Sequence, residues 1–256
     1  MSAPPVGSPP RRGSAVRAAF ALPVAFAAAF AIAGCLMLLF LVAPTFIRKR
    51  RTAWVHAWGR AILAIFGVKV EVQGARHRTA PGAALIFFNH VSLLDLMVLS
   101  TEWADDATVV YKQEFHRVPV IGSVMKRLDL IPIDRADRES AVESMRAAAR
   151  QVRERGAKVF IAPEGTRSRR GGLQEFKLGP FHLAIETGAP IVPAVLRGIG
   201  ALNPVGSWLI RAGTVRLDYL EPISTAGWRV EDVRERAEQV RAVFLCYLPA
   251  AVTESR

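Results

Sequence analysis

The sequence predicts an α/β domain, a mostly parallel sheet flanked by helices, with an N-terminal membrane helix ahead of it. Three observations carry this. From residue 68 onward, strand-like runs alternate with helix-like runs, the order that builds a parallel sheet. Runs such as 83–88 are apolar throughout, as strands covered on both faces must be. Residues 18–43 carry no charge, and about 20 apolar residues suffice to cross a bilayer.

Taken in order, residues 1–17 are rich in Pro, Gly, Ser and Ala and carry Arg11, Arg12 and Arg17, which reads as a disordered basic arm. In the membrane segment 18–43, Pro23 bends the helix near its start. A cleaved signal peptide would have a shorter apolar core and a polar exit. Here the run continues past Cys35, which also argues against a lipoprotein cleavage box at Ile32-Ala33-Gly34-Cys35. Arg17 precedes the segment and Arg48, Lys49, Arg50 and Arg51 follow it. Their distribution favours an inner-membrane protein with a cytoplasmic catalytic domain, although a dip into one leaflet fits the same length. Residues 44–67 are basic and amphipathic. Trp54, Val55, Trp58, Ala61, Ile62, Ile65 and Phe66 share one helical face. That face suits the bilayer interface or the domain's own core.

The domain proper spans 68–256. Strand-like runs fall at 68–72, 83–88, 108–111, 130–133, 158–162, 191–196 and 214–220. Helix-like runs fall at 93–101, 138–155, 179–186 and 229–247. In the second of these, Ala141, Val142, Met145, Ala148, Ala149 and Val152 repeat at the helical period. The chain's 256 residues can bury a real core. A net charge of +12 favours anionic partners. Arginine is spread along the chain without aromatic interleaving, which argues against nucleic acid. Two cysteines cannot make a disulfide framework or a zinc site. Usage rich in Arg and Ala suggests a bacterial source.

Two segments carry chemistry. Asn89-His90-Val91-Ser92-Leu93-Leu94-Asp95 follows the apolar run 83–88. The run delivers His90 to a strand end, where open α/β sheets place their sites. A histidine can take a proton from an alcohol, and an aspartate can fix its tautomer. Ser92 and Asp95 also fit a capping box at a helix start, and both roles are compatible. Ser92 as an esterase nucleophile lacks the glycine elbow that such a serine needs. The second segment, Pro163-Glu164-Gly165-Thr166-Arg167-Ser168, offers an arginine fork and backbone amides to an anion. A base and an anion cradle together suggest acyl transfer to a phosphorylated alcohol.

These residues resemble the 1-acylglycerol-3-phosphate acyltransferase family of membrane-associated glycerolipid acyltransferases. Asn89 to Asp95 is similar to its N-H-x4-D block. Lys112, Glu114, Pro119, Gly122 and Ile133-Asp134-Arg135 resemble its second block. Pro163 to Ser168, followed by Phe176-Lys177-Leu178-Gly179, matches its E-G-T-R-S block. Ile191-Val192-Pro193 resembles its fourth. Two departures stand out: Ala162 where the family has phenylalanine, and Arg127-Leu128-Asp129-Leu130 where it has a glycine before the last strand of the second block.

The resemblance implies a glycerolipid acyltransferase-like fold. It implies transfer of a fatty acyl group from acyl-CoA or acyl-carrier protein to a lysophospholipid in the membrane, with no metal and no cofactor. The first acceptor is 1-acylglycerol 3-phosphate, giving phosphatidic acid; lyso-ornithine lipid and glycerol 3-phosphate are alternatives. His90 is the expected base, Asp95 its orienter and Arg167 the phosphate ligand, supported by Arg135, Lys112 and more weakly Lys177. Gly165 and Thr166 belong to the cradle. Glu164 is expected to orient Arg167 or to bond the glycerol hydroxyl, and the Gly122 amide is a candidate oxyanion donor.

Overall fold

A computed structural model describes residues 50–92, 94–118, 121–167, 172–204, 207 and 209–248, with scattered positions between 23 and 38. The arm 1–17 lies outside them, and so does most of the membrane segment 18–43. Among the described residues, no helix is long and apolar enough to cross a membrane.

Seven strands form one sheet. They are β1 (Val68–Gln73), β2 (Ala84–Phe88), β3 (Ala107–Lys112), β4 (Ile131–Ile133), β5 (Lys158–Ile161), β6 (Ile191–Arg197) and β7 (Gly213–Tyr219), in the order β1-β7-β6-β2-β5-β3-β4. Strands β6, β2, β5, β3 and β4 run parallel. The pair β1 and β7 is parallel within itself but opposes β6. The helices that pack on the sheet include α1 (Arg51–Ile65), α3 (Leu94–Ser100), α5 (Arg138–Arg155), α6 (Gly179–Thr187) and α8 (Val233–Tyr247). Short ones intervene: α2 (Ala75–Thr79), α4 (Ile121–Arg127) and α7 (Ile199–Leu202).

Strand β2 lies inside the sheet, and all five of its residues are buried. Alternate side chains of a strand point to opposite faces. Ile86 and Phe88 therefore enter a core with Leu94, Val98 and Leu99 of α3 and Ile62, Leu63 and Phe66 of the α1 region. Leu85 and Phe87 enter the other core, with α5, α6 and α8. There the rings of Phe87 and Phe181 meet edge to face at 5.3 Å, and those of Phe176 and Phe244 at 5.5 Å. Each large side chain so buried contributes roughly 1.5–3 kcal/mol.

Local chemistry explains the element ends. Asp137 caps α5 by accepting from the Glu139 amide at 2.9 Å, and Gly156 ends it with a φ of 61°. Of the α5 stripe, Ala148, Ala149 and Val152 are buried in the core, half-buried Met145 packs against it, and Val142 is exposed. Helix α1 packs its apolar face on α3, so this face belongs to the domain's core. Gly59 permits that approach, because a Cβ there would collide with Ser100 and the Met97 carbonyl. The family's missing glycine has a visible counterpart. Asp129 holds a φ of 56°, a conformation that Asp tolerates better than most residues.

Candidate active site

The C-terminal ends of β2, β3, β4 and β5 open into a cleft of about 1550 Å³. In parallel sheets this edge carries the site, because each strand hands its next residue to the same opening. His90 follows β2, Lys112 ends β3, Arg135 follows β4, and the 163–167 loop follows β5. His90, Lys112, Arg135, Gly165, Thr166 and Arg167 all line the cleft.

Asn89 fixes where β2 ends. Its side-chain amide donates to Leu196 O at 3.0 Å, and its oxygen accepts from Leu196 N at 2.7 Å. The side chain thus replaces a ladder rung to β6 and leaves the backbone free to turn. His90 comes next, and its Nδ1 lies 2.7 Å from Asp95 Oδ2. Asp95 is wholly buried. The same oxygen accepts from Val91 N at 2.8 Å and Ser92 N at 2.9 Å. A carboxylate only accepts, so Nδ1 carries the hydrogen and Nε2 keeps its lone pair for the cleft.

The capping box is present as well. Leu94 N donates to Ser92 Oγ at 3.1 Å while Ser92 N donates to Asp95. Ser92 Oγ donates its own hydrogen to Asn203 Oδ1 at 2.7 Å. Ser92 is 1% exposed, so this hydroxyl is spent on structure and meets no substrate.

In the second segment, Gly165 takes a φ of 72°, which a residue with a Cβ resists. The turn is closed by Gly165 N on Ala162 O at 3.1 Å. It leaves Thr166 and Arg167 exposed on the cleft. Ser168 lies outside the described residues. Glu164 lines the cleft but turns its carboxylate inward, where the sequence expectation is an orienter for Arg167 or a bond to the glycerol hydroxyl. It is 2% exposed, with Oε1 accepting from His90 N at 2.7 Å and Oε2 from Gln174 N at 2.9 Å. Burial pushes its carboxyl up to about 7, against the pull of those two amides. The physical reason for the difference is that two convergent backbone amides need an acceptor more than solvated Arg167 needs an orienter.

The cations are disposed unequally. Lys112 pairs with Glu114 at 2.7 Å, and that bond holds the Glu114 carboxyl below its ordinary range. Arg135 loses solvent in the cleft, which lowers its guanidinium pKa, and nearby Glu114 opposes the shift. Lys177 runs under the 163–167 loop, with its Cγ beside Gly165. Gly122 does not supply an oxyanion donor: its amide bonds Val118 O at 2.9 Å inside the first turn of α4. Four residues that shape the site escaped the sequence reading: Asn89 as a rung, Gln174, Asn203 and Tyr111. Tyr111 lines the cleft, bonds His116 through its hydroxyl and is pushed up to about 12 by burial.

Known proteins resemble this chain over most of its length. A 1-acyl-sn-glycerol-3-phosphate acyltransferase of Limnanthes douglasii is 30% identical over 218 residues, 85% of this chain and 77% of that one. The enzyme of that name from Salmonella typhimurium is 30% identical over 196 residues, 77% of this chain and 79% of that one. The crystal structure of the 1-acyl-sn-glycerophosphate acyltransferase PlsC from Thermotoga maritima has the same fold, with a TM-score of 0.75 at 22% identity, covering 92% of this chain and 98% of that one. Fold and relatives define the class, an α/β enzyme of acyl transfer. The chain belongs to the acyltransferase family, whose model matches residues 69–197.

Proposed function

We propose that this enzyme moves a fatty acyl group from a thioester, acyl-CoA or acyl-carrier protein, to the free hydroxyl of 1-acylglycerol 3-phosphate, giving phosphatidic acid. The observation that carries the reading is the 2.7 Å bond between His90 Nδ1 and buried Asp95 at the mouth of a cleft rimmed by Arg135, Arg167 and Lys177. The acceptor hydroxyl attacks the thioester carbonyl while His90 Nε2 takes its proton. Asp95 stabilises the imidazolium through Nδ1. The C–S bond then breaks, and the departing thiolate takes the proton back as a free thiol. No acyl-enzyme is needed, because the substrate alcohol is the nucleophile.

Arg167 and Arg135 hold the lysolipid phosphate, Arg167 as a fork and Arg135 as the less solvated cation. Gly165 and Thr166 keep that loop open to it. Exposed Val142 and half-buried Met145 of α5 give the cleft an apolar wall. The N-terminal segment 18–43 holds the enzyme at the membrane where its lipid substrates reside, and the charge of the basic residues 48–51 attracts anionic headgroups.

The test is conversion of lysophosphatidic acid and an acyl-CoA to phosphatidic acid by purified protein in lipid, beside His90→Ala. The expected loss in the variant is about 10²–10⁴-fold. Equal product from both would overturn the role of His90. Product from neither, with acyl-carrier protein also supplied as donor, would overturn the acceptor.

A further inference from the structure

The hydrogen bonds that hold the His90 backbone lead away from the sheet to the C-terminal helix. His90 N donates to one oxygen of Glu164, and Gln174 N donates to the other. Gln174 is held twice more. Its side-chain amide donates to Thr166 O at 3.1 Å, and its carbonyl accepts from Arg241 Nε at 3.0 Å. Arg241 Nη2 reaches the preceding carbonyl, Leu173 O, at 3.1 Å. The adjacent Lys177 N bonds Pro163 O at 2.8 Å, so the 172–177 strap also brackets the loop that bears Arg167.

Arg241 sits on α8, outside the matched residues 69–197. Its Nε and Nη2 form one rigid edge, and that edge takes two consecutive carbonyls at once, which a single ammonium cannot reproduce. Its charge also faces a need. Glu164 and Asp95 are both buried, the Asp95 charge adds to the cost of ionising Glu164, and Arg241 acts on Glu164 in the opposite sense.

We propose that Arg241 is a positioning residue for acyl transfer: by clamping Leu173 and Gln174 it holds Glu164, and through Glu164 it sets the backbone of His90 and the loop of Arg167. This rests on the reading of His90 as the base.

The full chain is reconstituted in lipid and assayed with lysophosphatidic acid and acyl-CoA. Wild type is compared with Arg241→Met, Arg241→Lys, Glu164→Gln and the double variant Arg241→Met with Glu164→Gln. The amide resonance of His90 is followed in ¹⁵N-histidine-labelled protein. Arg241→Met is expected to lower kcat about 10-fold with KM unchanged, since small displacements of a base cost rate rather than affinity. Arg241→Lys recovers part of the loss. The double variant is no slower than Glu164→Gln alone, because both act through one chain of contacts. The His90 amide shifts in Arg241→Met as it does in Glu164→Gln. Arg234→Met, on the exposed side of the same helix, leaves both readouts unchanged.

A merely structural arginine would lower the melting temperature of Arg241→Met while leaving kcat and the His90 amide as in wild type, and that overturns the proposal. Additive losses in the double variant overturn it as well. Should wild type make no phosphatidic acid, the proposed acceptor fails, and the His90 amide alone decides the clamp: a shift in Arg241→Met supports it and no shift overturns it.

Discussion

Asp95→Asn separates the charge of Asp95 from its geometry. Oδ2 accepts three hydrogen bonds, from His90 Nδ1, Val91 N and Ser92 N, at 2.7, 2.8 and 2.9 Å. An asparagine oxygen accepts the same three. Its NH₂ falls where Oδ1 now lies buried without a hydrogen-bond partner among the described residues. The turn after β2 therefore survives, whereas Asp95→Ala strands three donors at about 1–3 kcal/mol each. What Asp95→Asn removes is the charge opposite the imidazolium that forms as the alcohol attacks. Unit charges about 4 Å apart interact by about 4 kcal/mol at an effective dielectric of about 20. At about 1.4 kcal/mol per decade, kcat falls about 10³-fold. KM for the lysolipid does not change, because the imidazole is neutral before attack. The assay is release of free thiol from acyl-CoA over lipid vesicles holding lysophosphatidic acid, with a thermal melt as the control for folding. A variant that melts like wild type and turns over within a few-fold of it refutes the assignment of Asp95 as the stabiliser of a cationic intermediate.

Further outcomes follow from the same geometry. The Glu164 carboxyl is raised to about 7 from 4.5, so the native state binds its proton more tightly than the unfolded chain does. That contribution to stability is fully present below about pH 4.5 and is lost as pH rises to about 7, on the order of 3 kcal/mol. Urea midpoints should therefore fall across that window, and the slope should vanish in Glu164→Gln. Arg167→Ala should raise the lysolipid KM about 10-fold or more with kcat retained, as loss of a charge-assisted bond to a bound phosphate requires; unchanged kinetics remove Arg167 from the site. Asp129→Gly should be neutral or stabilise by up to about 1 kcal/mol in denaturant melts, because it relieves the φ of 56°. A loss larger than that would show that the exposed Arg155–Asp129 pair at 3.5 Å matters more than the backbone.

Much of this was legible in the residues. Every strand-like run became a strand, because each is either an apolar block, as at 83–88, or an apolar–polar alternation, as at 68–72, between polar turns, and the four helix-like runs became helices. The helices 75–79, 121–127 and 199–202 escaped, since none is long enough to show a period; α3 is no longer than 121–127 but is announced by the capping box of Ser92 and Asp95. His90 and Asp95 were legible as a pair because the capping box puts Asp95 in the first helical turn, with His90 just before that helix. The inward turn of Glu164 was not. Its partners are backbone amides, and every residue but proline offers one. The same holds for Asn89, whose partner is the distant main chain of Leu196, and for Asn203 and Gln174, which meet the side chains of distant Ser92 and Arg241. The α5 stripe read correctly as one helical face, yet only contact between elements decides that part of it lines the cleft and part the core.

The seam between α1 and α3 determines how force travels. Gly59 brings α1 flush against the Met97–Ser100 turn, and α3 is also the helix whose first turn holds Asp95. His56 bonds Trp103 O at 2.7 Å, and Arg51 and Thr52 both bond Asp105, so the start of α1 is riveted to the loop that leaves α3. Tension applied at residue 50 is borne by the scaffold of the histidine–aspartate pair, with no slack loop to absorb it.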